Sequence, residues 1–287
     1  MTLTLSPVLP SAVGVLGGGR MGAGIAHAFL ISGADRIVVV DIDPDAALQR
    51  VSTDMRSSLE RGKITGNLQD WMSRVEVSAH AESFAGCSLV VEAVPEKMEL
   101  KVESLQRAEA QLDAEGWLAT NTSSLSITDL AAHLQRPERF CGLHFFNPVP
   151  ASKLVEVVIA DSTGHQLAGL APQWVRALGK TAVVVKDAPG FASSRLGVAI
   201  GLEAIRMVEE GVASPQDIDN AMVLGYKYPI GPLALTDIVG LDVRLGIAEY
   251  LESTLGERFA PPQLMRDMVE RGELGRKTGK GFYSYDS

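Results

Sequence analysis

The chain has 287 residues, of which 46% are hydrophobic and 21% charged, and its formal net charge is −9. This length and composition are typical of a folded globular protein with one large or two modest domains, and the acidic balance argues against a nucleic-acid partner. The two cysteines are far apart in the sequence, which argues against a disulfide. The first 19 residues contain no lysine or arginine, which argues against a targeting peptide, and no long apolar run suggests a membrane partner. We therefore expect a cytoplasmic protein.

Strand-like and helix-like segments alternate through the first two thirds of the chain. Short apolar runs predict strands, and longer segments rich in apolar and small residues predict helices between them. The apolar runs are Ala12–Leu16, Ile37–Val40, Val75–Ser78, Ser88–Val91, Trp117–Thr120, Phe140–Phe146, Leu154–Val158 and Thr181–Val185, and the helix-like segments are 21–32, 44–62 and 97–115. This alternation predicts an α/β, doubly wound, mostly parallel sheet with helices on both faces.

The pattern changes at Asp187-Ala188-Pro189-Gly190, a strong break in regular structure. Beyond it, only helices are predicted, over residues 191–210, 215–224, 233–254 and 261–271. We therefore expect two domains, residues 1–187 with the sheet and an all-helical C-terminal domain over residues 188–287.

A glycine-rich turn follows the first predicted strand. Gly17, Gly19 and Gly22 satisfy the G-x-G-x-x-G pattern, with Arg20 and Met21 between them, at the start of a predicted helix. Such glycines let a pyrophosphate approach the helix N-terminus. Asp41 ends the second predicted strand, where a carboxylate accepts hydrogen bonds from the ribose of NAD and repels the 2′-phosphate of NADP. The context predicts a Rossmann-like NAD site, with a tight turn and a helix-capping acid as the alternative.

Polar residues follow the fifth apolar run. The segment Asn121-Thr122-Ser123-Ser124 lies directly after Trp117–Thr120, and ligands of parallel sheets bind beyond the carboxyl ends of the strands. The hydroxyl groups are therefore placed to face a cofactor or substrate. On its own the segment is also typical of a helix N-cap, with Ser126 and Thr128 as competing caps, and that interpretation is the favoured one without further context.

His144 lies at the end of one apolar run, and Glu156 lies inside the next. If the two runs fold back on each other, the carboxylate orients the imidazole through one ring nitrogen and makes the other nitrogen a better base. A buried carboxylate also needs a partner. A single histidine beside aromatic residues is more often structural, and that alternative stays open at this point. The other histidines have no such context and are expected to be structural or solvated: His27, His80, His133 and His165.

With these residues assembled, the chain resembles the L-3-hydroxyacyl-CoA dehydrogenase family, of the short-chain 3-hydroxybutyryl-CoA type. The resemblance covers nearly the whole chain and depends on several long motifs in the same order. These are Val13–Gly19, Val90–Glu96, Asn121–Leu125, His144–Pro150, Leu154–Glu156, Gly211–Ser214, Gly231–Leu233 and Lys277–Tyr283. It implies NAD as the cofactor, an acyl-CoA substrate and a homodimer. No C-x-x-C or clustered His/Cys pattern suggests a metal.

The resemblance also implies roles for individual residues. His144 matches the catalytic base of the family, Glu156 its orienting carboxylate, and Ser123 the serine that contacts the 3-oxygen of the substrate near the nicotinamide. Asp41 matches the ligand of the adenosine ribose. Four further positions match residues that line the cofactor: Glu96, Lys101, Asn147 and Lys277.

The resemblance places the CoA substrate near another group of residues. Lys101 is expected to face CoA as well as the cofactor. Ser57 or Ser58, together with Lys63, falls where the family binds the nucleotide end of CoA, although the alignment is loose there. For Lys63, a solvated helix face is an equal alternative.

One position departs from the family pattern. Ser194, just before Arg195, stands where the family usually has an asparagine that helps to hold the substrate oxygen. A serine side chain is shorter and offers one donor in place of an amide. We therefore expect an effect on substrate preference and rate, with Ser193 or a water molecule sharing the role.

The expected function is NAD-dependent, reversible oxidation of an L-3-hydroxyacyl-CoA to the 3-ketoacyl-CoA, in fatty-acid metabolism such as β-oxidation. Two alternatives remain at this point. One is a dehydrogenase of the same architecture that acts on a free 3-hydroxy acid or on gulonate, and the other is a cofactor-binding structural protein that has lost catalysis. Apolar faces within 196–205 and 233–245 are consistent with the implied dimer, and packing of these faces inside one chain is an equal alternative.

Overall fold

The computed structural model describes residues 9–285. Met1–Val8 and Asp286–Ser287, the outer ends of the two predicted domains, lie outside the described residues. The chain divides after Asp187 into two compact units. Each unit has its own hydrophobic core.

The first unit is built around one eight-stranded sheet with the order β3-β2-β1-β4-β5-β6-β7-β8. The strands are β1 Ala12–Leu16, β2 Arg36–Val40, β3 Val75–Ser78, β4 Leu89–Glu92, β5 Trp117–Thr120, β6 Phe140–Phe145, β7 Leu154–Ile159 and β8 Thr181–Lys186. Neighbouring strands are parallel, except that β6 and β7 are antiparallel. The strand order reverses between β1 and β4, and ligands of doubly wound sheets bind beyond the strand ends at such a point. The expected Rossmann-like fold is confirmed.

Helices flank this sheet. They are α1 Arg20–Ile31, α2 Pro44–Glu60, α3 Leu68–Met72, α4 Met98–Glu109, α5 Ile127–Ala131 and α6 His165–Ala177. Most of β1, β2 and β4 is buried, as parallel strands covered on both faces require. Complete burial of Phe29 on α1 contributes about 2–3 kcal/mol to the free energy of unfolding. The core thus holds the carboxyl ends of the central strands in a fixed arrangement.

The second unit is helical, as expected. Its helices are α7 Ser193–Glu209, α8 Pro215–Asn220, α9 Pro232–Val239, α10 Leu241–Leu255 and α11 Gln263–Glu270, with a short π-helical turn at Ala221–Gly225. Two buried carboxylates anchor the end of the chain to these helices. Asp237 accepts hydrogen bonds from the backbone N–H groups of Phe282 and Tyr283, and Asp219 accepts one from the hydroxyl of Tyr283.

Two predicted helices differ from the observed ones. The predicted helix 233–254 is two helices, because Gly240 between them has φ = 103°, a conformation that favours glycine. The predicted helix 97–115 ends at Glu109, where Arg136 donates to the carbonyl oxygens of Glu109, Leu112 and Asp113. These hydrogen bonds give partners to carbonyl groups at the end of the helix, which have no N–H donor from a following helical turn. Three helices were not predicted at all: α3, α5 and α6.

No helix among residues 9–285 is long and apolar enough to cross a membrane. Within the same residues, no group of histidine, cysteine and acidic side chains has an arrangement that would hold a metal ion.

Candidate active site

The glycine turn after β1 is closed by two glycines in contact. Gly17 has φ = 96°, and a Cβ atom on Gly22 would lie 1.7 Å from the carbonyl oxygen of Gly17. A Cβ atom on Gly19 would meet nothing within 4 Å, so the turn is open on that side. Helix α1 begins at the next residue and has no acidic residue in its first turn. Its positive end is therefore available to an anionic group such as a pyrophosphate.

Asp41 joins the end of β2 to this turn. Its Oδ2 atom accepts a hydrogen bond of 2.6 Å from the backbone N–H of Gly18, and its Oδ1 atom accepts one of 2.9 Å from that of Asp43. The carboxylate is half-buried, so it is both oriented and accessible. A ribose diol can donate to the lone pairs that remain.

A cavity of about 710 Å³ lies beside the turn and Asp41, within the range of small-molecule sites. Of the expected cofactor residues, Gly17, Gly19, Arg20, Met21 and Asp41 line it. Further residues that the sequence motifs do not predict also line the cavity, among them Ile42, Arg50, Ser104 and Arg107. Ile42 is 99% exposed, so it offers an apolar surface that a flat ring would cover. The turn, the oriented carboxylate and this cavity together fit a dinucleotide.

His144 and Glu156 face each other across the antiparallel pair of β6 and β7. The Nδ1 atom of His144 lies 2.8 Å from the Oε2 atom of Glu156. Glu156 is completely buried, whereas His144 is 6% exposed. A buried carboxylate favours a proton on Nδ1, which leaves Nε2 in the basic form. The pair therefore has the geometry of an oriented general base.

The segment Asn121–Ser124 continues from β5 beside the end of β6. The Oδ1 atom of Asn121 accepts a hydrogen bond of 2.8 Å from the backbone N–H of Phe145, next to His144. On the other side, Glu96 accepts hydrogen bonds from the backbone N–H groups of Ser123 and Ser124. The helix cap of α5 is Ser126, whose hydroxyl accepts from Asp129. The segment 121–124 is thus a tethered loop and not the N-cap, and Ser123 is exposed on it.

Lys101 does not line the cavity. Only 1% of the residue is exposed, and its ammonium group lies 2.7 Å from Oε1 of Glu92 and 3.3 Å from Oε2 of Glu96. The reason is the position of Lys101 on α4, where it shares the buried, sheet-facing stripe with Leu105 and Ala108. The family resemblance predicts that Lys101 faces the cofactor and CoA, whereas in this structure its side chain is buried beside Glu92 and Glu96.

The residues expected near the nucleotide end of CoA lie in the last turn of α2 and just beyond it. Ser57 is half-buried and Lys63 is exposed. Ser58 is buried, and its hydroxyl lies 2.7 Å from Nε2 of His27. Burial, with Lys63 and Lys180 nearby, lowers the pKa of His27 to about 4, so this histidine is neutral at physiological pH.

The remaining site residues occupy other positions. Asn147 is exposed two residues after the end of β6 and precedes a cis peptide bond to Pro148. In the helical unit, Ser194 is half-buried in the first turn of α7, and the ammonium group of Lys277 lies 2.5 and 2.6 Å from the two carboxylate oxygens of Asp242.

Two family models match the chain over nearly all of its length. The model described as 3-hydroxyacyl-CoA dehydrogenase, NAD binding domain, matches residues 12–188. The model described as 3-hydroxyacyl-CoA dehydrogenase, C-terminal domain, matches residues 190–285.

Individual proteins of known name are similar over the same length. A probable 3-hydroxybutyryl-CoA dehydrogenase of Deinococcus radiodurans is 42% identical over 95% of this chain and 99% of its own length. The mitochondrial hydroxyacyl-coenzyme A dehydrogenase of Rattus norvegicus is 40% identical over 97% of this chain and 92% of its own. The crystal structure of (S)-3-hydroxybutyryl-CoA dehydrogenase from Ralstonia eutropha superimposes with a TM-score of 0.91 at 38% identity, over 97% of this chain and 100% of that chain.

Proposed function

The chain belongs to the 3-hydroxyacyl-CoA dehydrogenase family, and we propose that it interconverts a short-chain L-3-hydroxyacyl-CoA and the 3-ketoacyl-CoA with His144 as the catalytic base. It is an NAD-dependent oxidoreductase, a 3-hydroxyacyl-CoA dehydrogenase of the type that acts on short acyl chains. The residue roles, the pathway, the location and the assembly are parts of this proposal.

The observation that carries the proposal is the 2.8 Å contact between His144 and Glu156 at the carboxyl end of β6. Strand β6 is parallel to β5, and β5, β4 and β1 are parallel in turn. The carboxyl ends of these strands therefore lie along the same edge of the sheet. An oriented base and a dinucleotide-type turn share that edge.

Bound NAD⁺ supplies the acceptor for the hydride that leaves C3 of the substrate. His144 removes the proton from the 3-hydroxyl group through Nε2, and it returns a proton to the 3-oxygen in the reduction direction. Glu156 stabilises the imidazolium that forms, because its buried carboxylate contacts Nδ1. Ser123 donates a hydrogen bond to the substrate oxygen as negative charge develops there. General acid–base help of this kind contributes about 10²–10⁴-fold to the rate.

Residues beyond this group have supporting roles in the proposal. Asp41 holds the adenosine ribose, and Asn147 and Lys277 contact the cofactor elsewhere. Ser194 takes the place of the family asparagine beside the substrate oxygen, with a shorter reach. Ser57 and Lys63 contact the nucleotide end of CoA, which is supported by the half-buried position of Ser57 and the exposed position of Lys63.

We further propose a cytoplasmic homodimer that acts in fatty-acid metabolism, including β-oxidation. Both cysteines are unpaired and buried, as in a reducing compartment. Exposed apolar side chains of the helical unit, at Leu196, Ile238 and Val243, are available for contact with a second copy. Light scattering coupled to size-exclusion chromatography gives the mass in solution, and a monomer at micromolar concentration would contradict the dimer.

The test of the function is the oxidation of NADH in the presence of acetoacetyl-CoA, free acetoacetate or longer 3-ketoacyl-CoAs. We expect the highest kcat/KM with acetoacetyl-CoA and little turnover of the free acid. Equal turnover of acetoacetate would indicate a dehydrogenase that does not use CoA. Tight NADH binding without turnover of any of these substrates would indicate a non-catalytic protein.

A further inference from the structure

Glu92, the last residue of β4, carries a completely buried carboxylate that the proposed reaction does not use. It accepts hydrogen bonds from the backbone N–H of Val94 at 2.6 Å, the ammonium group of Lys101 at 2.7 Å and the hydroxyl of Thr120 at 2.6 Å. Burial raises the pKa of Glu92, and these three donors oppose that shift. A buried carboxylate is costly unless it is paired in this way.

Lys101 uses its ammonium group entirely inside the protein. Three oxygen atoms surround Nζ: Oε1 of Glu92 at 2.7 Å, the carbonyl of Val94 at 3.1 Å and Oε2 of Glu96 at 3.3 Å. An ammonium group has three protons to donate. Two of these contacts are hydrogen bonds and the third is an ion pair with Glu96, so the ammonium group is engaged inside the protein and holds Glu96.

Glu96 passes this restraint on to the loop that carries Ser123. Its Oε1 atom accepts hydrogen bonds from the hydroxyl of Thr122 at 2.6 Å and from the backbone N–H groups of Ser123 at 2.9 Å and Ser124 at 3.0 Å. Burial acts to raise the pKa of Glu96, but Lys101 and these donors outweigh it and hold the pKa below its usual range. Glu96 therefore stays ionised, which keeps its hydrogen bonds to the loop strong.

The same loop is fixed at its other end to the strand of the base. Asn121 accepts a hydrogen bond from the backbone N–H of Phe145, the neighbour of His144. Thr120 donates to Glu92 and also accepts from the backbone N–H of Thr122. The position of Ser123 relative to His144 thus depends on two sets of contacts. One is the hydrogen bond between Asn121 and Phe145 of β6. The other is the series of contacts from Glu92 through Lys101 and Glu96 to the loop.

We propose that Glu92 and Lys101 are positioning residues that act through Glu96 to hold the hydroxyl of Ser123 in place for the reaction. The proposal rests on the function given above, because it assigns Ser123 to the substrate oxygen. In this proposal Lys101 does not contact the cofactor or CoA directly, and it acts on the reaction only through Glu96. A misplacement of about 1 Å at a reacting group costs about 100-fold in rate, so the loss of this restraint affects kcat more than cofactor binding.

The test uses the double substitution Glu92→Gln with Lys101→Met. Lys101→Met alone leaves an uncompensated buried carboxylate and destabilises the fold, whereas removal of both charges of a buried ion pair is often tolerated. We expect the double variant to retain its melting temperature within a few degrees and its Kd for NADH within about threefold. We expect kcat with acetoacetyl-CoA to fall by about 10–100-fold. Glu103→Gln, at an exposed position of α4, is the matched control and retains the kcat of the parent protein.

The pH profile separates positioning from a general structural effect. Without Lys101, one cause that lowers the pKa of Glu96 is lost while burial still raises it. The acid limb of kcat therefore moves to higher pH in the double variant, and kcat recovers partly as the pH rises. An unchanged kcat and an unchanged acid limb would overturn the proposal. So would a Kd for NADH that rises in step with the loss of kcat, since Lys101 would then be a cofactor ligand. The activity of His144→Gln does not depend on Glu92 or Lys101. It therefore tests the proposed function separately, and a failure of that function is distinguishable from a failure of the positioning role.

Discussion

The Nδ1 atom of His144 and the Oε2 atom of Glu156 lie 2.8 Å apart across directly paired positions of β6 and β7. Both side chains project from apolar strands, and their backbones are fixed by the antiparallel ladder. The orientation of the imidazole thus depends on the register of two strands and not on a mobile loop.

The first prediction concerns this contact. Glu156→Gln keeps the size of the side chain and one hydrogen bond but removes the charge that stabilises the imidazolium. We expect kcat with acetoacetyl-CoA to fall by at least about 100-fold, and the Kd for NADH to stay within threefold. The Kd is measured by fluorescence titration. Glu76→Gln, on β3 at a solvent-accessible ion pair with Arg36, serves as the control, and equal kcat in the two variants would remove the role of Glu156.

A second prediction concerns the cofactor. Asp41→Ala removes the carboxylate that the ribose diol would contact, so the Kd for NADH is expected to rise by about 10–100-fold, as for the loss of one or two hydrogen bonds to a charged group. Binding of NADPH should not weaken in parallel, because the repulsion of its 2′-phosphate is also removed. Asp45→Ala, at an exposed position in the first turn of α2, is the control. An unchanged Kd for NADH would contradict the assignment.

The third prediction concerns the departure from the family pattern. Ser194→Asn restores the longer amide side chain in the first turn of α7, and we expect folding to be retained and kcat/KM to equal or exceed that of the parent by up to about tenfold. Ser194→Ala removes the hydroxyl group and should lower kcat/KM. If the asparagine variant folds but is inactive, the serine has an essential role of its own.

The fourth prediction concerns stability and pH. The pKa of His27 is lowered from 6.5 to about 4 in the folded state, mainly by burial. Between these pH values the unfolded chain binds a proton that the folded chain does not, so the free energy of unfolding falls as the pH drops from about 6.5 to about 4. The contribution is about 2 kcal/mol at pH 5. It is absent above the unfolded pKa.

Urea unfolding at pH 7 and pH 5 measures this effect. His27→Gln retains a side chain that can bond to Ser58 and does not titrate, so the stability lost between the two pH values should be about 2 kcal/mol smaller than in the parent. His133→Gln, at an exposed position, should lose as much stability as the parent protein. An equal loss in all three proteins would show that His27 titrates normally in the folded state.

Much of the fold could be predicted from local patterns. The strands Ala12–Leu16 and Trp117–Thr120 were predicted with the bounds observed, because short apolar runs between turn residues have few other folds available. The break at Gly240 could not be inferred, because a glycine inside a helical pattern is often tolerated and only the backbone shows φ = 103°. The end of α4 depends on Arg136, a tertiary contact that no local window contains.

The candidate site was predictable to a different degree. The proximity of His144 and Glu156 follows from two consecutive apolar runs that can form an antiparallel pair. The burial of Lys101 was visible in the spacing of Lys101, Leu105 and Ala108 along one helical face, but a lysine is seldom assigned to a core. Glu92 was missed because a single carboxylate in the run Leu89–Glu92 acquires its meaning only from Thr120 and Lys101, which lie on other elements.

The most direct test of His144 as the catalytic base is the kcat of His144→Gln with acetoacetyl-CoA and NADH, measured together with its Kd for NADH. Glutamine has nearly the same volume and can bond to Glu156, but it cannot act as a base near neutral pH. We expect kcat to fall by about 10²–10⁴-fold, with a Kd for NADH within threefold of that of the parent protein. Full retention of kcat by the folded variant would contradict His144 as the base.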